Sequence, residues 1–205
     1  MKSNRMRIAV LCGTVIAFTG AGFAQMDPGM PQQQQPGMQD SVGSSGMTGP
    51  QMRDRAFVLD AVSGGIAEVQ MGQLALQKSS NDEIKKFGQM VVDDHTAMGK
   101  QMESVADSMS IRVIKKLDKA HQAEYDKLKA LSGSNFDNAY LVYMFTDHRD
   151  EQHAYRVELV VVTDGPLKDQ ILADSPIIRR HLQAVTKIAE DLKITLPVRR
   201  PPPAK

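Results

Sequence analysis

The sequence predicts an all-α protein, a four-helix bundle with an additional crossover helix between helices 2 and 3. Apolar residues recur at alternating steps of three and four along four long segments, which is the period of an amphipathic α-helix. Charged residues occupy the positions between them. Short turns join the first segment to the second and the third to the fourth, as expected for antiparallel neighbours in a bundle. The folded part, residues 53–193, is long enough for one domain with a sizeable core.

Residues 1–24 are predicted to be an export signal peptide. A basic start is followed by an apolar run that is too short to span a membrane, and small residues then lead to a cleavage site. The single cysteine, Cys12, lies inside this run, so the mature chain has neither disulfides nor thiolate chemistry. We expect an exported protein, periplasmic or outer-membrane associated, with no transmembrane span after signal cleavage.

Residues 25–52 are rich in Gln, Pro, Gly and Met and lack periodicity, which predicts a disordered tether that reaches an envelope partner. Its spaced methionines either capture Cu(I) through their thioethers or are ordinary members of a flexible linker. Residues 194–205 form a Pro/Arg-rich tail. The whole chain has 25 basic and 24 acidic residues, and signal cleavage removes three of the basic ones. This balance gives no reason to expect a nucleic acid partner.

The first helix is predicted over 53–78 and the second over 81–109, with Asn81 as the cap of the second. Gly64-Gly65 lies in the middle of the first helix. Because each glycine there lowers helix stability by roughly 1 kcal/mol relative to alanine, the pair predicts the close approach of another backbone.

A charged crossover helix is predicted over 115–131, ended by Gly133 and lying on the outside of the bundle. Its charged surroundings predict that His121 is a solvated surface residue. The third long helix is predicted over 136–162, with Asn135 as its cap.

The fourth helix follows a Thr-Asp-Gly-Pro turn and extends to about Leu192. Pro176 falls inside its pattern, which predicts a kink or break near Asp174-Ser175.

Each long helix carries one strong potential metal ligand on its buried stripe: Glu68, His95, His148 and His181. Positions 68 and 95 are equally distant from the first turn, and positions 148 and 181 from the last. Residues equidistant from a shared turn lie level on antiparallel helices, to within about one 5.4 Å helical turn. The spacing therefore places all four side chains in one layer at the middle of the bundle.

Three imidazoles and one carboxylate suit Zn, Fe, Mn or Cu, without choosing between them. Asp94 and Asp147 each precede a histidine, and adjacent helix residues point about 100° apart, so each aspartate would serve a ligand of the neighbouring helix. Glu151, one turn beyond His148, is a possible extra ligand. The alternative is a buried Glu/His hydrogen-bond network without metal. A haem site is a weaker interpretation, because no CxxCH motif is present.

The spans FVLDAVSGGIAEVQMGQLAL, VVDDH and LSGSNFDNAYLVYMFTDH, with the segment up to His181, resemble an exported bacterial family, domain-of-unknown-function family 4142. The resemblance covers about residues 53–193 and implies a ferritin-like bundle. Ferritin-like di-iron proteins carry a Glu-x-x-His motif on two helices. Here Val92 and Ile178 stand three positions before His95 and His181, so a di-iron ferroxidase is disfavoured.

We therefore expect an exported envelope protein that binds a transition metal in a Glu/His₃ layer and acts in metal handling or stress protection. The alternative is a metal-free structural or interaction module of the envelope. No nucleophile, general-base pair or cofactor-binding loop is recognisable in the sequence, so no catalytic residues are assigned. An enzyme with an open metal position would need a cleft that reaches the layer.

Overall fold

The computed structural model describes residues 46–197, and its helices within this range are α1 (Gly49–Lys78), α2 (Asp82–Ser108), α3 (Lys119–Ala130), α4 (Gly133–Val161) and α5 (Pro166–Asp191). The predicted signal peptide, most of the tether and most of the C-terminal tail lie outside the described residues. None of the helices described is both long enough and apolar enough to cross a membrane. The all-α prediction is confirmed.

The first helix begins earlier than its apolar pattern. The Thr48 hydroxyl accepts a hydrogen bond from the backbone N–H of Gln51 (3.4 Å), and the Gln51 side chain accepts one from the N–H of Thr48 (2.9 Å). This capping box satisfies amide groups that a helix start leaves free. Residues 49–52, predicted as tether, are therefore the first turn of α1. Asn81 caps α2 as predicted, accepting from the backbone N–H groups of Glu83 and Ile84.

The crossover helix is shorter than predicted, because Asp118 caps it through the N–H groups of Ala120 and His121. It ends at Ala130, and Gly133 is the first residue of α4 rather than the end of α3. With a φ of +56°, this glycine has the left-handed conformation that a side chain disfavours. The chain therefore turns directly into α4, and Asn135 is not its cap.

The four long helices form a closed ring of neighbours. Helix α1 contacts α2 and α4, and α5 contacts the same two helices. The pairs α1/α2 and α4/α5 are antiparallel across their short turns, and the long connection through α3 carries the chain back to the other end of the bundle before α4 begins. Helix α3 packs outside the bundle, against α1 and α4. This is the predicted ferritin-like four-helix bundle with one crossover.

Two apolar clusters fill the bundle, one toward each end. The cluster near the start of α1 includes Val58, Met102, Tyr155, Ile171 and Ile178. The other, near the α1–α2 turn, includes Met71, Phe87, Tyr140, Met144 and Val185. The predicted polar layer lies between the two clusters.

Gly72 and Gly88 mark the closest approach of α1 and α2. A Cβ atom on Gly72 would lie 2.8 Å from the Gly88 carbonyl oxygen, and one on Gly88 would lie 3.0 Å from the Gly72 carbonyl oxygen. The predicted approach at Gly64-Gly65 is wrong: a Cβ on Gly64 would meet nothing within 4 Å, and one on Gly65 only His95 Nδ1 at 3.9 Å.

Helix α5 continues through Pro176, so the predicted break does not occur. A proline inside a helix leaves the carbonyl of the residue four positions earlier without its N–H partner. That residue is Leu172, which is exposed. Ser175 also donates its hydroxyl to the Ile171 carbonyl at 2.6 Å, inside the same turn. The lost bond therefore faces the outer side of the bundle, where water can replace it.

Candidate metal centre

The four predicted side chains lie together in the middle of the bundle. Glu68 and His95 are 1% and 2% exposed, and His148 and His181 are fully buried. The three imidazole rings have centroids 5.1 to 5.5 Å apart. The structure therefore places one ionisable side chain from each long helix in a common layer.

The tautomers of two histidines follow from their hydrogen bonds. Nε2 of His181 lies 2.7 Å from a carboxylate oxygen of Asp94, and Nδ1 of His148 lies 2.9 Å from the Met144 carbonyl oxygen. Because a carbonyl and an ionised carboxylate only accept, both ring nitrogens must donate. The remaining nitrogens, His148 Nε2 and His181 Nδ1, then carry lone pairs when the rings are neutral.

These two lone-pair nitrogens face each other at 3.1 Å. Two acceptors at this distance repel unless a positive charge is shared between them. Two imidazole nitrogens bound to one tetrahedral zinc ion would be about 3.3 Å apart, given metal–nitrogen bonds of about 2.0–2.1 Å. The observed separation therefore fits a shared metal ion with only a small adjustment.

The Glu68 carboxylate lies beside the imidazoles. Its Oε2 atom is 2.9 Å from His95 Nδ1, and its Oε1 atom is 3.4 Å from His148 Nε2. Although these separations are short, neither oxygen accepts a hydrogen bond with acceptable geometry from the described part of the chain, and Nε2 of His95 is also without a partner there. Buried polar atoms left in this way cost roughly 1–3 kcal/mol each.

The donor atoms fall into two overlapping groups. In one group, ring nitrogens of His95, His148 and His181 all lie within 4.8 Å of one another. In the second, donor atoms of Glu68 and Glu151 satisfy the same condition with His95 and His148. Glu68 and His181 share no group, so the donor atoms of the four predicted residues do not converge on a single point. Glu151, predicted as a possible extra ligand, belongs to the second group.

Asp94 lies on α2 but contacts the histidine of α5. It accepts from His181 Nε2 at 2.7 Å and from Arg180 Nη2 at 2.6 Å. Partial burial by itself raises the pKa of Asp94, but these two donors together outweigh burial and leave the pKa below its ordinary value. An ionised Asp94 therefore orients the His181 ring from a neighbouring helix.

Asp147 and Glu151 add two carboxyl groups to the layer. Burial raises the pKa of Glu151 well above its ordinary value, and the nearby Glu68 raises it further. Burial also raises the pKa values of Glu68 and Asp147, which lie within hydrogen-bonding reach of each other. Since two ionised carboxylates can only accept, a bond between them requires a proton on one of them. These groups therefore hold protons or need another cation nearby.

The two histidines with assigned tautomers resist protonation. Burial lowers the pKa of His148 well below its ordinary value, and positive charge on His95 or His181 would lower it further. Burial also lowers the pKa of His181, to about 4, against the opposing effect of Asp94. At neutral pH both rings are neutral, which is the form that binds metal ions.

A cleft of about 260 Å³ reaches the layer between α1 and α4, beside α3. It is lined by five carboxylates together with apolar and small residues, while no lysine or arginine of the described chain lines it. The carboxylates are Asp60, Glu68, Asp147, Asp150 and Glu151. Glu68 and Glu151 line the cleft, whereas the three histidines of the layer do not.

Sequence reasoning missed part of this cleft. His121, predicted to be solvated, lines it with only 23% of its side chain exposed and lies 2.8 Å from Asp118. Asp60 and Asp150 were not singled out either. Nothing in the periodicity of α3 shows which groove it covers, so no local signal indicates these neighbours.

Comparison with known proteins gives a family and a fold. The family described as "Domain of unknown function (DUF4142)" matches residues 39–188. Among solved structures, the chain is similar to a crystal structure from Streptomyces coelicolor described as a secreted DUF305 protein. The TM-score is 0.61 at 16% identity, with 72% of this chain and 96% of that chain covered. At this identity the likeness concerns the fold alone. No curated protein matches the chain at a significant level.

Proposed function

Because the chain belongs to the DUF4142 family, whose function is unknown, we propose a function from its buried layer: it is an exported protein that binds a transition metal there. His95, His148 and His181 supply nitrogen ligands, and Glu68 supplies a carboxylate on the His95 and His148 side of the layer. Asp94 orients His181, while Asp147 and Glu151 lie close enough to contact the bound ion or its ligands.

One observation carries this proposal. His148 Nε2 and His181 Nδ1 face each other at 3.1 Å, although each of these rings donates through its other nitrogen. Either a proton or a metal ion would remove the repulsion between their lone pairs. Because burial lowers the pKa of both imidazoles, the metal ion is the better occupant at neutral pH.

The donor set limits the kind of metal. Imidazole nitrogens favour Zn, Cu and Fe, and the neighbouring carboxylates also accept Mn. The cysteine-free described region has no thiolate, the ligand that selects soft ions most strongly. Zn, Fe, Mn and Cu remain the candidates.

The surroundings of the site support a role in metal handling or stress protection outside the cytoplasm. The similar structure from Streptomyces coelicolor is described as secreted, and the predicted signal peptide agrees with export to the periplasm or outer membrane. The negatively lined cleft favours the approach of cations through simple attraction. The alternative function, a metal-free envelope module, would require the layer to be held by shared protons.

Elemental analysis tests the proposal directly. The exported chain, prepared without a histidine tag, is expected to retain at least one equivalent of a transition metal after dialysis. His148→Gln should lose it, whereas His153→Gln, at an exposed position of the same helix, should keep it. If the wild-type chain retains no metal even after incubation with each candidate ion, the proposal is wrong and the layer is a metal-free hydrogen-bond network.

A further inference from the structure

We propose that the layer holds two cations rather than one. The inner position is formed by nitrogens of His95, His148 and His181, and the outer position by carboxylates of Glu68 and Glu151 at the inner end of the cleft, which Asp147 also lines. This inference rests on the proposed metal binding and extends it to a pair of sites with different chemistry.

The first argument is distance. Ligand atoms of one ion, at bonds of about 2.0–2.2 Å, cannot lie more than about 4.4 Å apart. Glu68 and His181 share no group of donor atoms within 4.8 Å of one another, although each shares one with His95 and His148. A single ion therefore cannot bind both Glu68 and His181 without rearranging the layer.

The second argument is the number of lone pairs. The neutral His148 ring has one free nitrogen, because its Nδ1 donates to the Met144 carbonyl, so it can bind one ion only. That free nitrogen lies closer to His181 Nδ1 (3.1 Å) than to Glu68 Oε1 (3.4 Å). His148 therefore belongs to the inner position with His181. Glu68, which shares no donor group with His181, belongs to the outer position.

The third argument is the unmet bonding capacity of the carboxylates. Glu68 is 1% exposed, lines the cleft, and has both oxygens without a hydrogen bond from the described residues. Oε2 of Glu151 is also buried without a partner there. Asp147 lies within hydrogen-bonding reach of Glu68 and adds a further carboxyl group at the cleft. A cation between these groups would satisfy acceptors that the chain itself leaves unpaired.

The chemistry of the two positions differs. Three neutral imidazoles favour zinc or copper, whereas the carboxylates of the outer position favour harder ions such as Mn²⁺ or Mg²⁺. The outer ion would face the cleft, which is wide enough for water molecules to complete its coordination. Asp60 and Asp150 at the cleft extend the negative charge away from the layer. An ion could then reach the outer position without separation of the helices.

Sequential loading tests this inference. The wild-type chain is first given one equivalent of Zn²⁺, dialysed, and then titrated with Mn²⁺ while the free Mn²⁺ signal is followed by electron paramagnetic resonance. We expect one further equivalent of Mn²⁺ to bind. The double variant Asp147→Asn/Glu151→Gln should keep its zinc and bind Mn²⁺ at least tenfold more weakly. Asp107→Asn, an exposed carboxylate on α2, is the control and should behave as wild type.

The possible results separate the two proposals. If the wild-type chain keeps zinc but binds no Mn²⁺, the second position is wrong and the metal function stands. If it binds neither ion, both proposals are wrong. Loss of zinc and Mn²⁺ together in the double variant would show a single shared site and overturn the inference.

A second variant covers the case in which the double variant does not fold. Gly64 lines the cleft, and a Cβ atom there would meet nothing within 4 Å. Gly64→Leu therefore fills the cleft without removing a ligand. In zinc-loaded protein it should slow Mn²⁺ entry at least tenfold, and an unchanged rate of entry would contradict an outer position reached through the cleft.

Discussion

Nε2 of His181 donates a hydrogen bond to Oδ2 of Asp94 across the α2–α5 interface, at a distance of 2.7 Å. This bond determines which nitrogen of His181 is left with a lone pair. Arg180 Nη2, 2.6 Å from the same oxygen, helps to keep Asp94 ionised. A surface ion pair between α2 and α5 is thereby connected to a fully buried imidazole.

Asp94→Asn tests the role of this contact. The amide is neutral and can also present its N–H groups to the ring, so it orients His181 less strongly. We expect zinc affinity to fall by about 10- to 100-fold, as is typical when the partner of a metal-bound histidine is lost. Competition with a chromogenic chelator measures this change. Asp93→Asn, at an exposed neighbour that accepts a hydrogen bond from Gln89, should leave the affinity unchanged; equal effects of the two variants would contradict the role of Asp94.

His148→Gln should abolish the stabilisation that metal gives to the fold. A ligand that binds only the folded chain at 100 times its Kd adds about 2.7 kcal/mol to the free energy of unfolding. Wild-type chain should therefore show a higher Tm with zinc than with a chelator, and the variant should show the same Tm in both. The comparison is made by thermal melting followed by circular dichroism. A zinc-dependent rise in the Tm of His148→Gln as large as that of the wild type would exclude this residue as a ligand.

The Mn²⁺ affinity of the zinc-loaded chain should increase as pH rises from about 5.5 to 7.5. Burial holds the pKa values of Glu68 and Glu151 above their ordinary range, so metal must displace protons from these carboxyls at acidic pH. Isothermal titration in two buffers of different ionisation enthalpy measures both the affinity and the protons released. An affinity that does not vary over this interval would contradict carboxylate binding.

Asp174 should make the metal-free fold less stable as pH rises. Burial raises its pKa to about 6, although Gln170 donates to it. The pKa of an aspartate in the unfolded chain is about 3.9. Between about pH 4 and 6, the Asp174 carboxyl therefore holds a proton in the folded chain that it has lost in the unfolded chain. The resulting stability is fully present below about pH 4 and is lost as pH rises through 6. Asp174→Asn should therefore gain about 1–2 kcal/mol relative to wild type between pH 4 and 7.5. Urea unfolding with a chelator present measures this difference, and a constant difference would refute it.

Two glycines of α1 should respond in opposite ways to alanine. Gly72→Ala brings a Cβ atom within 2.8 Å of the Gly88 carbonyl, and overpacking of this kind destabilises a fold by about 1–3 kcal/mol. Gly64→Ala meets nothing within 4 Å and should stabilise the helix by about 0.5–1 kcal/mol. Denaturant unfolding of the two variants compares them directly. Destabilisation by Gly64→Ala would show that the predicted approach at that position is correct after all.

The helices and the height of the layer could be predicted from sequence, because helical geometry is local and uniform. A rise of 1.5 Å per residue makes positions equidistant from a turn lie level, so residue numbering alone predicts that His95 lies opposite Glu68. Asn81 was recognised as a cap for the same reason, since a cap acts within its own turn. The sequence also indicates Glu151 as a possible extra ligand, because this residue lies one turn beyond His148 on the same helix.

Periodicity and turn positions alone predict four long helices, two antiparallel pairs and one buried potential metal ligand on each long helix. The residues that meet are known from the folded chain alone. Asp94 contacts His181, Asp147 lies near Glu68, the closest approach of α1 and α2 is at Gly72 rather than Gly64, and a carboxylate-lined cleft lies beside α3. The reason is that periodicity states which side of a helix is buried but not which partner covers it. Partners are set by packing across a long crossover connection, where contacts between residues far apart in the chain leave no local pattern.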